Sequence, residues 1–303
     1  MAPDSAARAI LAPPAEKMNA FGIAKALGRA CREGRGWRTN CPAHGGFSLN
    51  ISDGRDGKLL VHCWGGCDPL DVLENLRNLD LHNTWQPDRI EQLGNDNIGC
   101  RTNWARRIWD RAKEARRSPV EAYLRGRGIT IAPPPSLRWA PHCKHPSGVF
   151  LPAMIARVVN TDGELVGIHR TFLTQDGSGK AAVAPEDQKM SLGSVRGGAV
   201  QLGRLDPDRA LVIGEGIEST LSLMQLRGLP GWAALGTSGL RSLILPRAAT
   251  RILIAVDHDS NGAGEAAAWD VGQRWLLEER EVRLTMPTGL GDWNDVLRGQ
   301  CDA

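Results

Sequence analysis

The sequence lacks the features that would place it in a membrane or outside the cell. It contains no stretch of about 18 consecutive apolar residues, the length that a transmembrane helix needs. Its first residues show no basic start followed by an apolar stretch and a small-residue cleavage site, which is the pattern of a secretory signal. We therefore expect a cytoplasmic protein without a membrane partner.

A complete set of disulfide bonds is also poorly supported, because the seven cysteines are an odd number. In a reducing compartment, grouped cysteines more often bind a metal or take part in catalysis than form a disulfide framework. The 303 residues are enough for two or three domains, each with a modest hydrophobic core.

The net charge of +3 hides an uneven distribution of charge along the chain. From Asp206 to the end there are nine Lys and Arg and fourteen Asp and Glu, a net charge of −5, whereas residues 1–205 carry +8. A basic region suits a polyanion, because neutralised phosphates release counterions, and an acidic region suits divalent cations. Two ordinary solvated surfaces would give the same charges, so this pattern alone leaves both interpretations open.

Composition and periodicity divide the chain into segments. Apolar residues recur at helical spacing from Thr102 to Arg117, and strand-like alternation over residues 149–173 surrounds an Asp-Gly turn. After Ala210, short apolar runs alternate with helical stretches, which predicts a parallel sheet covered on both faces. The predicted segments are a loose leader (1–17), a zinc-binding domain (18–78), a linker (79–100), a basic middle domain (101–205) and an acidic α/β domain (206–303).

Two pairs of soft metal ligands lie on tight turns in the N-terminal third. Two residues separate Cys41 from His44, and three residues separate Cys63 from Cys67. The interval between the pairs has the pattern of two strands joined by Asp-Gly turns, so a hairpin would bring both pairs to one tetrahedral zinc ion. His62 could substitute for a ligand, but strand alternation directs it to the other face. The pattern predicts a zinc ribbon with structural Zn²⁺.

Three acidic residues follow predicted strands in the acidic domain. Glu215 ends the first strand, and Asp257 and Asp259 end a later one. Because the carboxyl ends of parallel strands form one crevice, we expect the three carboxylates to meet there. Divalent cations would neutralise the negative charge of such a cluster, and bound Mg²⁺ or Mn²⁺ would coordinate the substrate phosphates. The cluster predicts phosphoryl or nucleotidyl transfer.

These motifs resemble those of a known family. Cys-x2-His followed by a hairpin and a Cys pair resembles the CHC2 zinc-binding domain of bacterial and phage DNA primases, which contacts the template strand. Glu215-Gly216 followed by Asp-x-Asp at 257–259 resembles the Toprim domain, which primases share with topoisomerases and some nucleases. Residues 235–239 resemble its glycine loop, and residues 291–295 resemble the Asp-x-Asn-Asp ending of phage and plasmid primases.

The resemblance implies an α/β fold with an N-terminal zinc ribbon, an α+β basic middle domain and a C-terminal Toprim domain with a central parallel sheet. The sequence departs from the commonest patterns by the three residues between the second pair of cysteines and by Ser219 where many replicative primases have Asp. The implied site residues are the catalytic acids Glu215, Asp257 and Asp259, the accessory magnesium ligands Glu218, Asp292 and Asp295, and the zinc ligands Cys41, His44, Cys63 and Cys67.

The segment from Arg101 to Arg127 is strongly basic, with nine Lys and Arg against three acidic residues, and it contains Trp104 and Trp109. Basic residues beside aromatic rings suit single-stranded nucleic acid. An amphipathic helix is the alternative, and for the two tryptophans we expect positions in the core. Similar primases pass template and nucleotides between this region and Toprim, so the candidate contacts are Arg106, Arg107, Arg111, His169, Arg170, Lys189 and Arg196.

The implied function is a DNA primase of a phage, plasmid or integrated mobile element. Such an enzyme makes short RNA primers on single-stranded DNA from nucleoside triphosphates by two-metal nucleotidyl transfer. The sequence has no Gly-x4-Gly-Lys-Ser/Thr phosphate loop, so a separate replicative helicase is the implied partner. Two alternatives remain: a Toprim nuclease that uses water as the nucleophile, and a non-catalytic DNA-binding or recombination module.

Overall fold

Two compact units make up the chain, residues 1–63 with 68–86 and residues 64–67 with 87–303. A computed structural model describes residues 18–54, 59–64, 67–79, 81, 91–258 and 262–300, and for residues 91–100 it describes the backbone only. The predicted leader lies outside the described residues. No described helix is long and apolar enough to cross a lipid bilayer.

The first unit packs two helices against a four-stranded antiparallel sheet. Its elements are α1 (Ala20–Ala26), β1 (Cys31–Glu33), β2 (Gly36–Thr39), β3 (Leu49–Asp53), β4 (Leu59–Cys63) and α2 (Pro69–Asn78), with strand order β1-β2-β3-β4. The Asp68 side chain caps α2 by accepting a hydrogen bond from the Leu70 N–H, and Pro69 suits the first helical position. Leu49 lies opposite Cys63 in the β3–β4 pair, which confirms the predicted hairpin.

A five-stranded antiparallel sheet forms the middle part of the chain. Its elements are α3 (Glu91–Arg111), β5 (Lys113–Glu114), α4 (Pro119–Gly126), β6 (Leu137–Lys144), β7 (Phe150–Val159), β8 (Leu165–Phe172) and β9 (Lys189–Gly193), with strand order β5-β6-β7-β8-β9. The strands predicted over residues 149–173 are confirmed as the β7–β8 hairpin.

The helix predicted from Thr102 to Arg117 differs from α3 at both ends. α3 begins at Glu91, inside the segment interpreted as a linker, and it ends at Arg111. The next residues leave the helix because Lys113 pairs with Trp139 of β6 and Glu114 with Arg138. Pairing with a distant strand therefore replaces the last predicted turns, and local periodicity does not reveal that pairing.

The C-terminal part is a mostly parallel sheet between helices. Its elements are β10 (Val200–Gln201), β11 (Leu211–Gly214), α5 (Ile217–Arg227), β12 (Gly231–Ala233), α6 (Thr237–Ser242), β13 (Arg251–Ala255), α7 (Ala263–Leu277), β14 (Glu281–Thr285) and α8 (Trp293–Leu297). The strand order is β10-β12-β11-β13-β14, and only β10 runs antiparallel to its neighbour. Ile254 packs with Trp275 of α7 on one face, and Val212 packs with Trp293 of α8 on the other. The predicted sheet covered on both faces is confirmed.

A shared apolar core joins the middle and C-terminal parts. Tyr123 and Leu124 of α4 and Met154 of β7 pack in one cluster with Ile217 and Leu221 of α5. Ile217 is the first residue of α5, so this core holds the start of that helix beside the middle sheet. The carboxyl edge of β11, from which α5 follows, is positioned by the same packing.

Candidate functional site

The four predicted zinc ligands lie together. The ligand atoms of Cys41, His44, Cys63 and Cys67 are all within 4.8 Å of one another, and Cys41 and Cys63 are buried. The distance from Cys63 Sγ to His44 Nδ1 is 3.7 Å. A tetrahedral zinc ion with bonds of about 2.0–2.3 Å separates its ligand atoms by roughly 3.3–3.8 Å, so the four side chains fit Zn²⁺.

The surroundings of His44 favour a bound cation. Ser48 Oγ lies 3.0 Å from His44 Nε2, which orients the ring and leaves Nδ1 toward the cysteines. Hydrogen bonds to the Cys41 and Cys63 sulfurs raise the pKa of His44 to about 10, which reflects the attraction of this group for positive charge. His62 is exposed and does not belong to the cluster, as strand alternation predicts.

The ends of β11 and β13 bring two predicted catalytic acids to one edge. Gly214 pairs with Ala255 in parallel register, so Glu215 and Asp257 both follow at the carboxyl edge of the sheet. Ser219 Oγ in the first turn of α5 donates a 2.8 Å hydrogen bond to Asp257 Oδ1, which links the two strand ends. The third acid, Asp259, lies outside the described residues.

The predicted glycine loop holds the backbone of Glu215. The N–H groups of Leu235 and Gly236 donate to the Glu215 carbonyl oxygen at 2.8 and 3.1 Å. Both donors have positive φ angles, 69° at Leu235 and 112° at Gly236, and glycine makes such a turn without a Cβ clash. The loop after β12 therefore fixes where the first acid leaves its strand.

Asp292 and Asp295 form a capping box at the start of α8. Asp292 Oδ1 accepts hydrogen bonds from the N–H groups of Asn294 and Asp295, and Asp295 Oδ2 accepts from the Asp292 N–H. A β-bridge between His258 and Gly291 brings this box to the edge where Asp257 lies. These contacts account for one oxygen of each acid, and the accessory metal role of both residues stays a prediction.

Glu218 has a different environment from the one predicted. Lys189 Nζ lies 2.9 Å from Oε2, and the Tyr123 hydroxyl donates to Oε1 at 2.7 Å. Burial opposes ionisation of this carboxyl, but the Lys189 charge and the two hydrogen bonds lower its pKa to about 2. Each carboxylate oxygen of Glu218 thus has a protein side chain as its partner.

The predicted nucleic-acid contacts divide between surface and interior. Arg106, Arg107 and Arg111 are exposed on α3, and Arg196 is exposed as well. Arg170 is only 7% exposed; its guanidinium donates to the Lys144 carbonyl oxygen and lies 5.6 Å from the Phe172 ring. Strand alternation turns Arg170 into the core under α3, and its role as a nucleic-acid contact stays a prediction.

The two tryptophans of α3 also differ from the expectation. Trp109 is 8% exposed and packs in the core, as predicted. The Arg138 guanidinium lies 4.3 Å from its ring. Trp104 is 56% exposed, so the core position predicted for it is wrong. Trp104, Arg107 and Arg111 are spaced by three and four residues and share one exposed face of the helix.

His169 is held in a neutral form beside Lys189. Burial, reinforced by the Lys189 charge, lowers the pKa of the imidazole to about 3. Its Nδ1 lies 3.0 Å from Ser191 Oγ. The role of His169 as a phosphate contact stays a prediction.

The sequence analysis did not identify three residues near Lys189 as candidate site residues. Tyr123 is the one tyrosine of the chain, and Arg127 and Lys180 lie in loops without a motif. Burial and the neighbouring Lys189 charge lower the pKa of Lys180, and Arg127, Glu218 and Asp292 also interact with it electrostatically. Charges from separate segments of the middle part thus gather beside α5, and no spacing along the sequence indicates this.

Family models match two parts of the chain. Residues 100–202 match a domain of unknown function, DUF7146, and residues 210–302 match the Toprim domain. No curated protein matches the chain.

Three solved structures illustrate the similarity to known proteins. The primase fragment of the bacteriophage T7 primase-helicase protein covers 54% of this chain at 19% identity with a TM-score of 0.37, and this chain spans 62% of that fragment. The match to the zinc-binding and RNA polymerase domains of the Aquifex aeolicus primase covers 93% of this chain and 80% of that structure, at 14% identity and a TM-score of 0.40. A DNA primase domain from Pseudomonas aeruginosa covers 66% of this chain, which covers 75% of it, at 17% identity and a TM-score of 0.41.

The C-terminal third combines a Toprim match with the expected sheet. Its parallel strands, the glycine loop, and Glu215 and Asp257 at the strand ends agree with the motifs found in the sequence. The N-terminal part adds a CHC2-like group of metal ligands. Residues 210–302 therefore form a domain that matches the Toprim model in sequence and has the predicted parallel sheet.

Proposed function

We propose that this protein is a DNA primase that synthesises short RNA primers on single-stranded DNA by two-metal nucleotidyl transfer. The pairing of β11 with β13 supports this most directly, because it brings Glu215 and Asp257 to the same carboxyl edge. Carboxylates at such an edge suit Mg²⁺ or Mn²⁺, which in turn bind the phosphates of a nucleotide.

Glu215, Asp257 and Asp259 would hold the divalent ions, with Asp292 and Asp295 as accessory acids. Bound ions supply charge neutralisation at the triphosphate and lower the pKa of an attacking hydroxyl. Ser219 keeps the Asp257 carboxylate oriented through its 2.8 Å hydrogen bond. Lys189 lies 2.9 Å from Glu218 at the start of α5, and its ammonium would contact a phosphate of the nucleotide.

The basic face of α3 is the proposed contact for the template strand. Trp104 offers an exposed ring on which a base can stack, and Arg107 and Arg111 lie beside it to pair with phosphates. The zinc cluster would hold the N-terminal hairpin in shape for initiation on the template. A separate helicase remains the proposed partner, and a phage, plasmid or integrated element the proposed setting.

Primer synthesis tests the proposal. The protein is incubated with single-stranded DNA, Mg²⁺ or Mn²⁺ and labelled ribonucleoside triphosphates, and the products are separated on a denaturing gel. We expect short oligomers from the native chain, and at least a hundredfold less from Asp257→Asn and Glu215→Gln. Asp270→Asn is the matched control, because Asp270 is an exposed acid on α7 that pairs with Arg241.

The same assay separates the alternatives. Shortened DNA in place of oligomers would favour a Toprim nuclease, and a mobility shift without any product would favour a binding module. Undiminished synthesis by Asp257→Asn would refute the assignment of the acids, even if primers are made.

A further inference from the structure

Glu218 lies at the junction of the middle sheet and α5. It occupies the first turn of α5, directly after Ile217, which packs into the core shared with α4. From there its carboxylate meets Lys189 of β9 at 2.9 Å and Tyr123 of α4 at 2.7 Å. The three side chains come from three elements, so their meeting depends on the tertiary fold.

Each oxygen of the Glu218 carboxylate has one side-chain partner in these contacts. A buried carboxylate is stable only when it is paired and hydrogen-bonded, and here an ammonium and a phenol supply the partners. The start of a helix adds favourable positive potential. A divalent ion at Glu218 would compete with the Lys189 ammonium and would be repelled by the charges of Lys189 and Lys180. Metal binding at Glu218 is therefore unfavourable.

The ion pair is asymmetric in its exposure. The Glu218 side chain is 5% exposed, whereas the Lys189 side chain is 36% exposed. An ammonium has three N–H donors, and the contact with Glu218 uses one of them on the inner side of Lys189. The outer side of Lys189 is therefore open to solvent while its inner side is anchored.

Positive charge exceeds negative charge around this anchor. Arg127 and Lys189 both interact electrostatically with Lys180, and the acids that interact with Lys180 are Glu218 and Asp292. Asp292 also accepts two backbone hydrogen bonds at the start of α8. Among the groups that interact with Lys180 the cations therefore outnumber the acids, and a polyphosphate is the anion that the proposed reaction brings to this edge.

We propose that Glu218 is a positioning residue that anchors Lys189 for the phosphates of a nucleotide, with Tyr123 as its second support. It binds no divalent ion. This inference rests on the proposed function for the identity of the natural ligand, but the phosphate contact itself requires only an anchored ammonium.

Steady-state kinetics separate this role from metal binding. In Glu218→Gln we expect the KM for the nucleotide to rise about tenfold, because an amide no longer anchors the Lys189 ammonium with a charge, while the Mg²⁺ concentration for half-maximal activity stays constant. Lys189→Met should raise the KM by a similar factor, the double variant should add little to either change, and Lys189→Arg should recover part of the loss. Glu265→Gln, an exposed first-turn glutamate of α7, is the control.

A higher Mg²⁺ requirement in Glu218→Gln with an unchanged nucleotide KM would overturn the inference. Tyr123→Phe is a second variant for the case that Glu218→Gln does not fold, because it removes only the hydroxyl that donates to Glu218. We expect it to raise the nucleotide KM about threefold, a smaller change than in Glu218→Gln, because Tyr123 acts on Lys189 only through Glu218. Circular dichroism and a thermal melt check that each variant is folded.

A second measurement needs no primer synthesis. Because the chain has one tyrosine, incorporation of 3-fluorotyrosine gives a single ¹⁹F resonance at Tyr123. Inorganic tripolyphosphate without metal should shift this resonance in the native chain, and the shift should disappear in Lys189→Met. A shift that persists in Lys189→Met, or no shift in the native chain, contradicts the inference. Tripolyphosphate binding without any primer synthesis would instead refute the proposed function and leave the anchored phosphate contact intact.

Discussion

The hydroxyl of Ser219 donates a 2.8 Å hydrogen bond to Asp257, and this contact joins the first turn of α5 to the end of β13. Ser219 stands where many replicative primases have an acid. A neutral donor at this position satisfies one lone pair of Asp257, whereas an aspartate would add a second negative charge beside it. At this point of the site, Asp257 therefore has a neutral hydrogen-bond donor beside it and no second carboxylate.

Removal of this hydroxyl should weaken metal binding. We expect Ser219→Ala to raise the Mg²⁺ concentration for half-maximal primer synthesis about three- to tenfold, because Asp257 then loses an orienting hydrogen bond to a charged acceptor. Titration with Mg²⁺ at saturating nucleotide measures the effect. Ser178→Ala, in the exposed loop after β8, should leave the titration unchanged. An unaltered midpoint in Ser219→Ala would show that Asp257 keeps its orientation without this bond.

Zinc should be required by the N-terminal hairpin. We expect one Zn²⁺ per chain by elemental analysis, and its loss in Cys63→Ser, because three remaining ligands do not close a structural site. Initiation on the template should fall at least tenfold, with a much smaller change in nucleotide KM. Cys31→Ser is the control, since Cys31 is an exposed free thiol outside the cluster. Full zinc content in Cys63→Ser would mean that another group, such as His62, completes the site.

The two tryptophans of α3 should separate stability from nucleic-acid binding. Trp104→Ala should weaken binding of a fluorescent oligo-dT by about tenfold or more, through the loss of base stacking worth about 1–3 kcal/mol, with little change in Tm. Trp109→Ala should lower the Tm markedly, because this ring is buried and removal leaves a cavity. Trp269→Ala is a matched control, since Trp269 on α7 is also 56% exposed. Equal oligo-dT affinity for Trp104→Ala and Trp269→Ala would remove the α3 face from the template path.

His169 should make folding stability depend on pH. Its pKa in the folded chain is lowered to about 3 from the ordinary 6.5, chiefly by burial. The unfolded chain therefore binds the proton more readily, so stability is complete above about pH 6.5 and falls as the pH decreases toward 3, by at most about 1.4 kcal/mol per pH unit. Urea denaturation between pH 7.5 and 5 measures this slope. His169→Gln should flatten it, and His142→Gln, at an exposed position, should not. A slope that is identical in all three proteins would assign the effect to other groups.

Local pattern was sufficient for much of the architecture. The spacing of the soft ligands Cys41 and His44 predicts a metal site. Asp-Gly turns between segments of alternating apolar residues predict the hairpins. The alternation of apolar runs and helices after Ala210 predicts a parallel sheet, because only such a sheet buries both of its faces. These features depend on residues that are near one another in the sequence.

Other features depend on partners that are distant in the sequence. The end of α3 is set by the pairing of Lys113 with Trp139, and the exposure of Trp104 by which side of the helix meets the sheet. No periodicity within one element contains that information.

The sequence by itself determined which chemical groups this protein carries and at which strand ends Glu215 and Asp257 lie, since alternation and turn chemistry are local properties of the chain. Only the tertiary structure decided that Glu218 meets Lys189 and Tyr123, because a buried carboxylate takes the partners that packing brings to it. Those partners are 29 and 95 residues away along the chain.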